Sequence, residues 1–302
     1  MEKTTDKDDA FICNYVVTFV DVLGQKAAFE QSLRILAQHV DGDSLIQTLR
    51  QTLGRVRIVH SLFKSFHGGG QKSEPPWVEE LSQERKEQYM KLAGSQLYAQ
   101  AFSDSVIFYA SLINAQGNVN LRAIAEMLSA LTICTRVSFA KGIFFRGGIE
   151  IGWATVDPEI GIYGSVLNEA YKLESTVAQY PRIVVGDELL KFIELNSQIE
   201  KNDVIDKFNR ELARRCKSLF YEDCDGKIII DFLGNGIENF LSPERTSRHP
   251  RMQEFRKCIN DGREQVAREC ERFKKEKNTK LSFRYQLLMD YYSERSGEIA
   301  DT

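Results

Sequence analysis

The residues from Tyr15 to Val20 are all β-branched or aromatic, and this run ends at Asp21. A continuous run of this kind is typical of a buried strand. A second apolar pattern predicts a β-hairpin with strands from Leu97 to Phe102 and from Ser105 to Ala110, and Asp104 lies in its turn. Each of two predicted strands therefore has an aspartate at its end.

The rest of the chain to about residue 240 divides into helical and extended patterns. Apolar residues at helical spacing predict helices over Gln25 to His39, Ser44 to Phe63 and Asn118 to Ala140. A polar helix is predicted over Trp77 to Leu92, and further helices over Ser165 to Ala178, from Asp187 onward, and over Asp203 to Lys217. Further strands are predicted over Ile143 to Trp153, Gly161 to Gly164, Arg182 to Val185, Ser218 to Glu222 and Lys227 to Phe232. This order predicts an α+β sandwich in which helices flank a mostly antiparallel sheet.

The composition of the chain changes beyond the last of these strands. Residues Pro243 to Pro250 have the pattern of a linker, and a charged helix with apolar residues seven apart follows it. A last apolar segment runs from Leu281 to Tyr292. We therefore predict a frayed N-terminus over residues 1–10, one domain over residues 11–240, and a helical C-terminal extension over residues 241–302.

Composition and charge narrow the class of protein. The 302 residues are 42% hydrophobic and 10% aromatic, which is typical of a folded globular protein. The net charge of −3 gives no electrostatic reason to expect a nucleic acid as partner. No apolar run approaches the length that spans a bilayer, the N-terminus is polar, and the six cysteines lack the paired spacing of metal ligands. These features predict a cytoplasmic protein without a membrane partner.

The junction after the first strand is the first candidate for chemistry. Asp21, followed by Gly24 and a predicted helix, places a carboxylate beside the free N–H groups of a helix N-terminus, which suits a metal ion and a polyphosphate together. An aspartate in this position is, by itself, more often a turn former or a helix cap. If the two strands lie side by side, however, Asp21 and Asp104 can share divalent cations.

Four features in a fixed order carry a resemblance to a known family. They are Asp21, Asp104, Arg146 in the segment Arg-Gly-Gly-Ile, and the glycine-to-helix junction from Tyr163 to Glu174. Over roughly residues 15 to 235 the chain resembles the catalytic domain of class III nucleotidyl cyclases. It is most similar to the bacterial antiphage branch, the Pycsar pyrimidine nucleotide cyclases, and the segment from Phe283 to Tyr292 is also similar to the end of those proteins.

The resemblance implies a two-metal site. Asp21 and Asp104 match the two metal-binding aspartates of the family, Val22 would offer its backbone carbonyl, and the cofactors would be two Mg²⁺ or Mn²⁺ ions per site. The same match assigns contacts to the triphosphate, through backbone N–H groups or a guanidinium, to Leu23, Gly24, Gln25 and Arg146. For Arg146 alone, an ordinary arginine at a strand end is an equally good interpretation.

The resemblance also implies a ribose-binding helix. Asn168 matches the asparagine that orients the ribose, and Lys172 stands one helical turn later, where cyclases commonly have an arginine that stabilises the transition state. A lysine keeps the charge but lacks the planar fork of arginine. Lys227, on the last predicted hairpin, is a second cation that can share this role.

Two departures from the family pattern concern the base. Tyr98 and Gly161 stand where adenine-specific cyclases have a lysine and an aspartate that read the base. Their replacement argues against ATP, and a bulky Tyr98 favours a one-ring base. The expected substrate is a pyrimidine nucleoside triphosphate, with UTP favoured over CTP.

The resemblance finally implies an assembly and a signalling role. Family members build their sites at a dimer interface, so one chain with both halves implies a homodimer with two shared active sites. The product would be a 3′,5′-cyclic monophosphate that acts as a second messenger in bacterial antiphage defence and binds a separate effector protein. Two alternatives remain open at this point: a cyclase-like module that senses a nucleotide without turnover, and a purine cyclase.

Overall fold

A central sheet carries the whole fold. The computed structural model describes residues 12–25, 42–66, 82–92, 96–113, 119, 121–200, 204–237 and 250–300. The strands are β1 (Cys13–Val22), β2 (Leu97–Phe102), β3 (Ser105–Ser111), β4 (Phe145–Asp157), β5 (Gly161–Tyr163), β6 (Ile183–Val185), β7 (Phe220–Glu222) and β8 (Ile228–Ile230). They are arranged in the order β2-β3-β1-β4-β6-β8-β7, and β5 pairs with β4.

The sheet is mixed, because β4 and β6 are parallel whereas the other paired strands of the described chain are antiparallel. Antiparallel neighbours such as β2 and β3 are joined by a tight turn, but two parallel strands need a longer crossover. The connection from β4 to β6 includes a helix, which satisfies this requirement. The predicted α+β class with helices flanking the sheet is confirmed.

Helices surround the sheet. They are α1 (Gly42–Phe66), α2 (Gln83–Leu92), α3 (Leu121–Ala140), α4 (Ser165–Lys172), α5 (Asp187–Ser197), α6 (Val204–Lys217), α7 (Pro250–Lys275) and α8 (Thr279–Ala300). A single π-helical turn, Leu173–Val177, continues α4. The predicted helix from Ser165 to Ala178 therefore consists of an α-helix followed by a π-helical turn. The predicted helix over Gln25 to His39, the frayed N-terminus and most of the predicted linker lie outside the described residues.

One face of the sheet, here called the covered face, is buried under α1 and α3. Val16 and Val20 of β1 point to it and are at most 1% exposed. Phe108 of β3 stacks on Phe63 of α1 there. Side chains of α7 and α8, including Val266 and Leu288, belong to the same buried cluster. The last two helices thus share a core with the sheet, and the domain boundary at residue 240 stays a prediction.

Helix α3 corrects one expectation from the sequence. Leu121–Ala140 is long and apolar enough to cross a bilayer by length and composition, although no apolar run of that length was expected. Its apolar window is 83% buried inside the fold. Since a core helix buried on all sides must be apolar all round, burial explains the composition.

The opposite face of the sheet, here called the open face, is only partly covered. It carries Tyr15, Val17, Phe19 and Asp21 of β1, which alternate with the residues of the covered face. Helix α4 packs on it through Val166 and other small side chains. The remainder of this face leaves Tyr98, Phe102 and Tyr171 exposed.

Candidate functional site

Asp21 and Asp104 are brought together at the end of β1. In the sheet, Asp21 pairs with Ser105 on one side and with Arg146 on the other. The N–H of Val22 donates a hydrogen bond to the backbone carbonyl of Asp104 at 3.0 Å. The hairpin turn is therefore held against the end of β1, and the expectation that the two strands lie side by side is confirmed.

A third carboxylate reaches this point from the helix on the open face. Gly148 of β4 permits the approach, because a Cβ atom there would lie 2.5 Å from the carbonyl oxygen of Ala170 and 2.4 Å from Cβ of Leu173. The helix can thus lie directly on the strand. Its π-helical turn places Glu174, which is 2% exposed, with Oε1 2.6 Å from Nε of Arg146. π-Helical turns of this kind occur often at functional sites.

The resulting cluster has an excess of negative charge. Arg146 lies between Glu174 and Asp21, with its Nη2 atom 3.7 Å from the Asp21 carboxylate. Burial, then the charges of Glu174 and Asp104, raise the pKa of Asp21 to about 7 against the lowering effect of Arg146. Burial also raises the pKa of Glu174, although Arg146 lowers it. One guanidinium therefore does not compensate three neighbouring carboxyl groups.

The excess of negative charge at this cluster suits the binding of a divalent cation, which would supply positive charge beside the carboxylates. Oxygen ligands are those that Mg²⁺ and Mn²⁺ prefer. Within the described ranges, no group of three or more His, Cys, Asp or Glu side chains has the geometry of a metal site. The arrangement accordingly fits a site of two carboxylates completed by the backbone carbonyl of Val22, a substrate or water.

The segment predicted to bind phosphate forms a turn, but not every backbone N–H group in it is free to donate to a ligand. The N–H of Leu23 donates to the carbonyl oxygen of Phe144 at 2.9 Å, and its contact with a phosphate stays a prediction. Strand β1 extends to Val22, two residues beyond the sequence pattern, and the bond from Leu23 follows directly after its pairing with β4. Gln25 is 2% exposed, and neither polar atom of its side chain has a hydrogen-bond partner among the described residues.

Asn168, predicted to orient the ribose, and Lys172, which stands at the place of the transition-state arginine, lie away from this cluster. Val166 and Ala170 of α4 are buried against the sheet, whereas Asn168 and Lys172 are exposed on the other side of the helix. Residues two apart in a helix point in nearly opposite directions. Lys172 lies 3.3 Å from Glu169, and both side chains are largely exposed. Within this chain, Asn168 and Lys172 do not face Asp21.

Lys227 is also remote from the cluster within this chain. It is exposed in the turn between β7 and β8, where its N–H donates to Asp225. Strand β8 stands three positions from β1 in the sheet, which corresponds to roughly 14 Å. Its shared role with Lys172 stays a prediction.

Tyr98 and Gly161, the two positions predicted to face the base, both lie close to Gln100. Tyr98 precedes it by two residues on β2, and Gly161 approaches it from β5. Tyr98 stacks on Tyr109 of β3, with ring centroids 5.3 Å apart, and is 37% exposed. Gly161 has a φ of +91°, and a Cβ atom there would lie 2.2 Å from Oε1 of Gln100. The amide of Gln100 therefore occupies the space that an aspartate side chain at residue 161 would need. Its Nε2 donates to the carbonyl of Ile160, while its Oε1 is buried without a partner in the described chain.

Sequence reasoning did not assign roles to Glu174 and Gln100. For Glu174 a signal was present, because Val166, Ala170 and Glu174 are spaced by four and form the buried stripe of one helix. A charged residue on such a stripe is unusual and needs a partner. Gln100 had no such signal, since its importance depends on its contact with Gly161, which is 61 positions away in the sequence.

Comparisons of the chain with protein-family models, with curated proteins and with solved structures find no match.

Proposed function

We propose that the chain is a metal-dependent nucleotidyl cyclase. It converts a nucleoside triphosphate, with a pyrimidine base and with UTP favoured over CTP, into the 3′,5′-cyclic monophosphate and pyrophosphate. The observation that carries the proposal is the meeting of Asp21 and Asp104 at the end of β1, with a carboxylate charge that Arg146 does not compensate. Uncompensated carboxylates on a partly exposed face are poor for stability and suited to binding cations.

The proposed reaction requires an exchange of bonds at the α-phosphorus and neutralisation of the charge on the leaving pyrophosphate. The ribose 3′-oxygen forms a bond to the α-phosphorus, the bond between this phosphorus and the bridging oxygen breaks, pyrophosphate leaves, and the 3′-hydroxyl proton is lost to solvent. Two divalent cations, when bound, would activate the 3′-oxygen and neutralise the charge on the leaving group. Asp21 and Asp104 would hold them. Arg146 presents a guanidinium at the same point, and Glu174 fixes its orientation through their ion pair.

The active sites are shared between two copies of the chain. Asn168 and Lys172 face away from the carboxylates of their own protomer, so a second protomer is required to bring ribose-binding and metal-binding residues together. The open face also exposes Phe102, which is 77% exposed, and Tyr171, which is 53% exposed. Exposed aromatic side chains beside a half-covered sheet favour burial in a homodimer.

A pyrimidine base is supported by the environment of Gly161. An aspartate at this position would collide with the amide of Gln100, and its φ of +91° is strained for any residue with a side chain. The adenine-reading pair of the family cannot form with these residues. Gln100 instead offers a buried, unpartnered Oε1 that can accept a hydrogen bond from an N–H of the base once the side chain turns.

The test is incubation of the protein with each of ATP, GTP, CTP and UTP in the presence of Mn²⁺, followed by separation and identification of the products. Cyclic UMP and pyrophosphate in equal amounts are the expected main products. Binding of a triphosphate without any turnover would contradict the cyclase proposal. Faster formation of cyclic AMP or cyclic GMP would contradict the choice of base but not the reaction.

One observation favours a nucleotide-sensing module as the second candidate. Lys172, which replaces the expected arginine, is already paired with Glu169 on the same helix. If this pair persists in the dimer, no cation of α4 reaches the substrate. The same four-nucleotide experiment separates the candidates, since a sensor binds one nucleotide and releases it unchanged.

A further inference from the structure

The C-terminal helices close a cavity beside the candidate site. This cavity has a volume of about 540 Å³, which lies within the usual range of small-molecule sites. Leu23 and Gly24, from the turn after β1, form one of its walls, and residues of α7 and α8 form another. Arg146 also lines it, so the cavity opens onto the same guanidinium that approaches Asp21.

The lining is rich in arginine. Four arginines from four different elements contribute to it: Arg55 of α1, Arg146 of β4, Arg272 of α7 and Arg284 of α8. Two glutamates of the lining, Glu269 and Glu276, are both paired with Arg272, at 2.7 and 3.6 Å. Both carboxylates therefore lie against the arginine of α7, and the charge of Arg55 also acts on Glu269.

Arg284 has no such partner. No carboxylate oxygen of a described residue lies within 4.0 Å of its guanidinium. Its side chain is half-buried, and burial together with the positive charge of Arg146 lowers the pKa of Arg284. Two guanidinium groups that face one cavity repel each other, and a multivalent anion between them removes this repulsion.

Arg55 lines the cavity close to the turn after β1. Its Nη1 atom lies 3.3 Å from the position that a Cβ atom on Gly24 would take. A side chain at residue 24 would therefore stand between this guanidinium and the turn. Glycine leaves the space free for a ligand oxygen that contacts the turn and Arg55 at once.

We propose that Arg284 and Arg55 bind the terminal phosphates of the substrate in this cavity, so that helix α8 forms part of the substrate site. The inference rests on the proposed function for the identity of the substrate, but not for the chemistry of the ligand, which is a polyphosphate. Planar guanidinium groups from separate elements match the several oxygens of such a group. The C-terminal helices then determine how tightly the triphosphate end of the substrate is held.

The first experiment measures binding of inorganic tripolyphosphate to the full-length protein by calorimetry. Arg284→Gln should weaken binding by about tenfold or more, since it removes charge-assisted hydrogen bonds. Arg55→Gln should weaken it in the same direction, and Arg284→Lys by less than Arg284→Gln. The matched control is Arg268→Gln, because Arg268 is an exposed arginine of α7 that pairs with Glu264 and does not line the cavity.

The second experiment decides whether the bound anion is the end of the substrate or a separate ligand. UTP should displace tripolyphosphate from the wild-type protein, and Arg284→Gln should raise the KM for the triphosphate by more than it lowers kcat. Simultaneous binding of UTP and tripolyphosphate would overturn the inference, as would unchanged tripolyphosphate binding by a folded Arg284→Gln variant. If Arg284→Gln does not fold, Arg55→Gln and Arg284→Lys provide the same tests.

The outcomes for the two proposals are separable. One outcome is that UTP displaces tripolyphosphate, that Arg284→Gln weakens the binding of both, and that no nucleotide is turned over. This outcome supports the cavity site and contradicts the cyclase. Turnover that is insensitive to Arg284→Gln and Arg55→Gln supports the cyclase and contradicts the cavity site.

Discussion

The two faces of the sheet differ although they are made by alternate residues of the same strands. On the covered face, Val16 and Val20 of β1 pack against α1 and α3 and are essentially inaccessible to solvent. On the open face, the last residues of the same strand are Phe19 and Asp21, and the latter has a pKa raised to about 7. Burial is matched to residue type on the covered face, whereas at the end of β1 on the open face it acts on a carboxyl group.

This difference indicates where the protein gives up stability for another purpose. Carboxyl groups placed together in a partly desolvated position are unfavourable for the folded state unless a cation compensates them. The covered face has no comparable cluster within the described residues. We therefore expect changes on the covered face to act on stability, and changes to the polar residues of the open face to act mainly on activity.

The largest expected effect is the loss of activity when a carboxylate of the open face is removed. Asp21→Asn and Asp104→Asn should each reduce turnover by on the order of a thousandfold or more, because each removes one ligand of the proposed two-metal site. The unfolding midpoint should not fall for Asp21→Asn, since the change relieves repulsion. Asp290→Asn, which alters an exposed carboxylate on α8, is the control for activity. Near-normal turnover by either variant would show that the metal role is wrong.

The second prediction tests whether the open faces of two copies meet. An inactive Asp104→Asn protein mixed with an inactive Asn168→Ala protein should recover about a quarter of the wild-type activity. Half of the dimers after random exchange are mixed, and each mixed dimer has one intact site of two. Activity is measured after exchange has been demonstrated by labelled subunits. Exchange without recovery would mean that the sites are not shared.

The third prediction concerns base selection on the open face. Tyr98→Ala should relax the preference for pyrimidines over purines by about ten- to a hundredfold, because fitting a two-ring base against a packed ring costs about 1–3 kcal/mol. The ratio of kcat/KM for UTP and ATP is the measurement. Tyr98→Phe keeps the ring and should keep the preference. If both variants behave alike, the steric argument fails.

The fourth prediction concerns the contact between α4 and the open face. Gly148→Ala should lower the free energy of unfolding by about 1–3 kcal/mol, since the added Cβ meets the backbone of α4 rather than a flexible side chain. It should also reduce turnover by displacing Glu174. Gly54→Ala is the matched control: a Cβ there has no neighbour within 4 Å, so helix propensity should raise stability by about 0.5–1 kcal/mol. Urea denaturation distinguishes the two.

The smallest expected effect concerns the core behind the covered face at alkaline pH. Burial and the neighbouring Asp231 raise the pKa of Tyr291 well above its ordinary value, and its O–H donates to Asp231 at 2.7 Å. An unfolded tyrosine ionises near pH 10. The contribution of Tyr291 to stability is therefore complete below about pH 10 and is lost as the pH rises toward its folded pKa.

The measurement is the free energy of unfolding between pH 9 and pH 11. Tyr291→Phe should make its decline less steep by at most one proton, or about 1.4 kcal/mol per pH unit. Tyr163→Phe, at an exposed tyrosine, should leave the slope unchanged. An unchanged slope in Tyr291→Phe would show that this hydroxyl does not control the alkaline limb.

The sequence by itself determined the elements and most of their order. The hairpin from Leu97 to Phe102 and from Ser105 onward is confirmed to within one residue, because its apolar pattern and turn are local. The pairing of β1 with β3 was the condition on which a shared site depended, and it is present in the structure. Local periodicity is a reliable guide wherever one face of an element is buried.

The tertiary structure alone decided which side chains meet. The sheet takes up the N–H of Leu23, which no local pattern indicates. The contact of Gln100 with Gly161 depends on the pairing of β2 with β3 and of β4 with β5, and the cavity that Arg284 lines depends on α8 returning to the turn after β1. Such contacts join residues distant in sequence, and their geometry depends on how all the elements pack, so the pattern of one segment does not contain them.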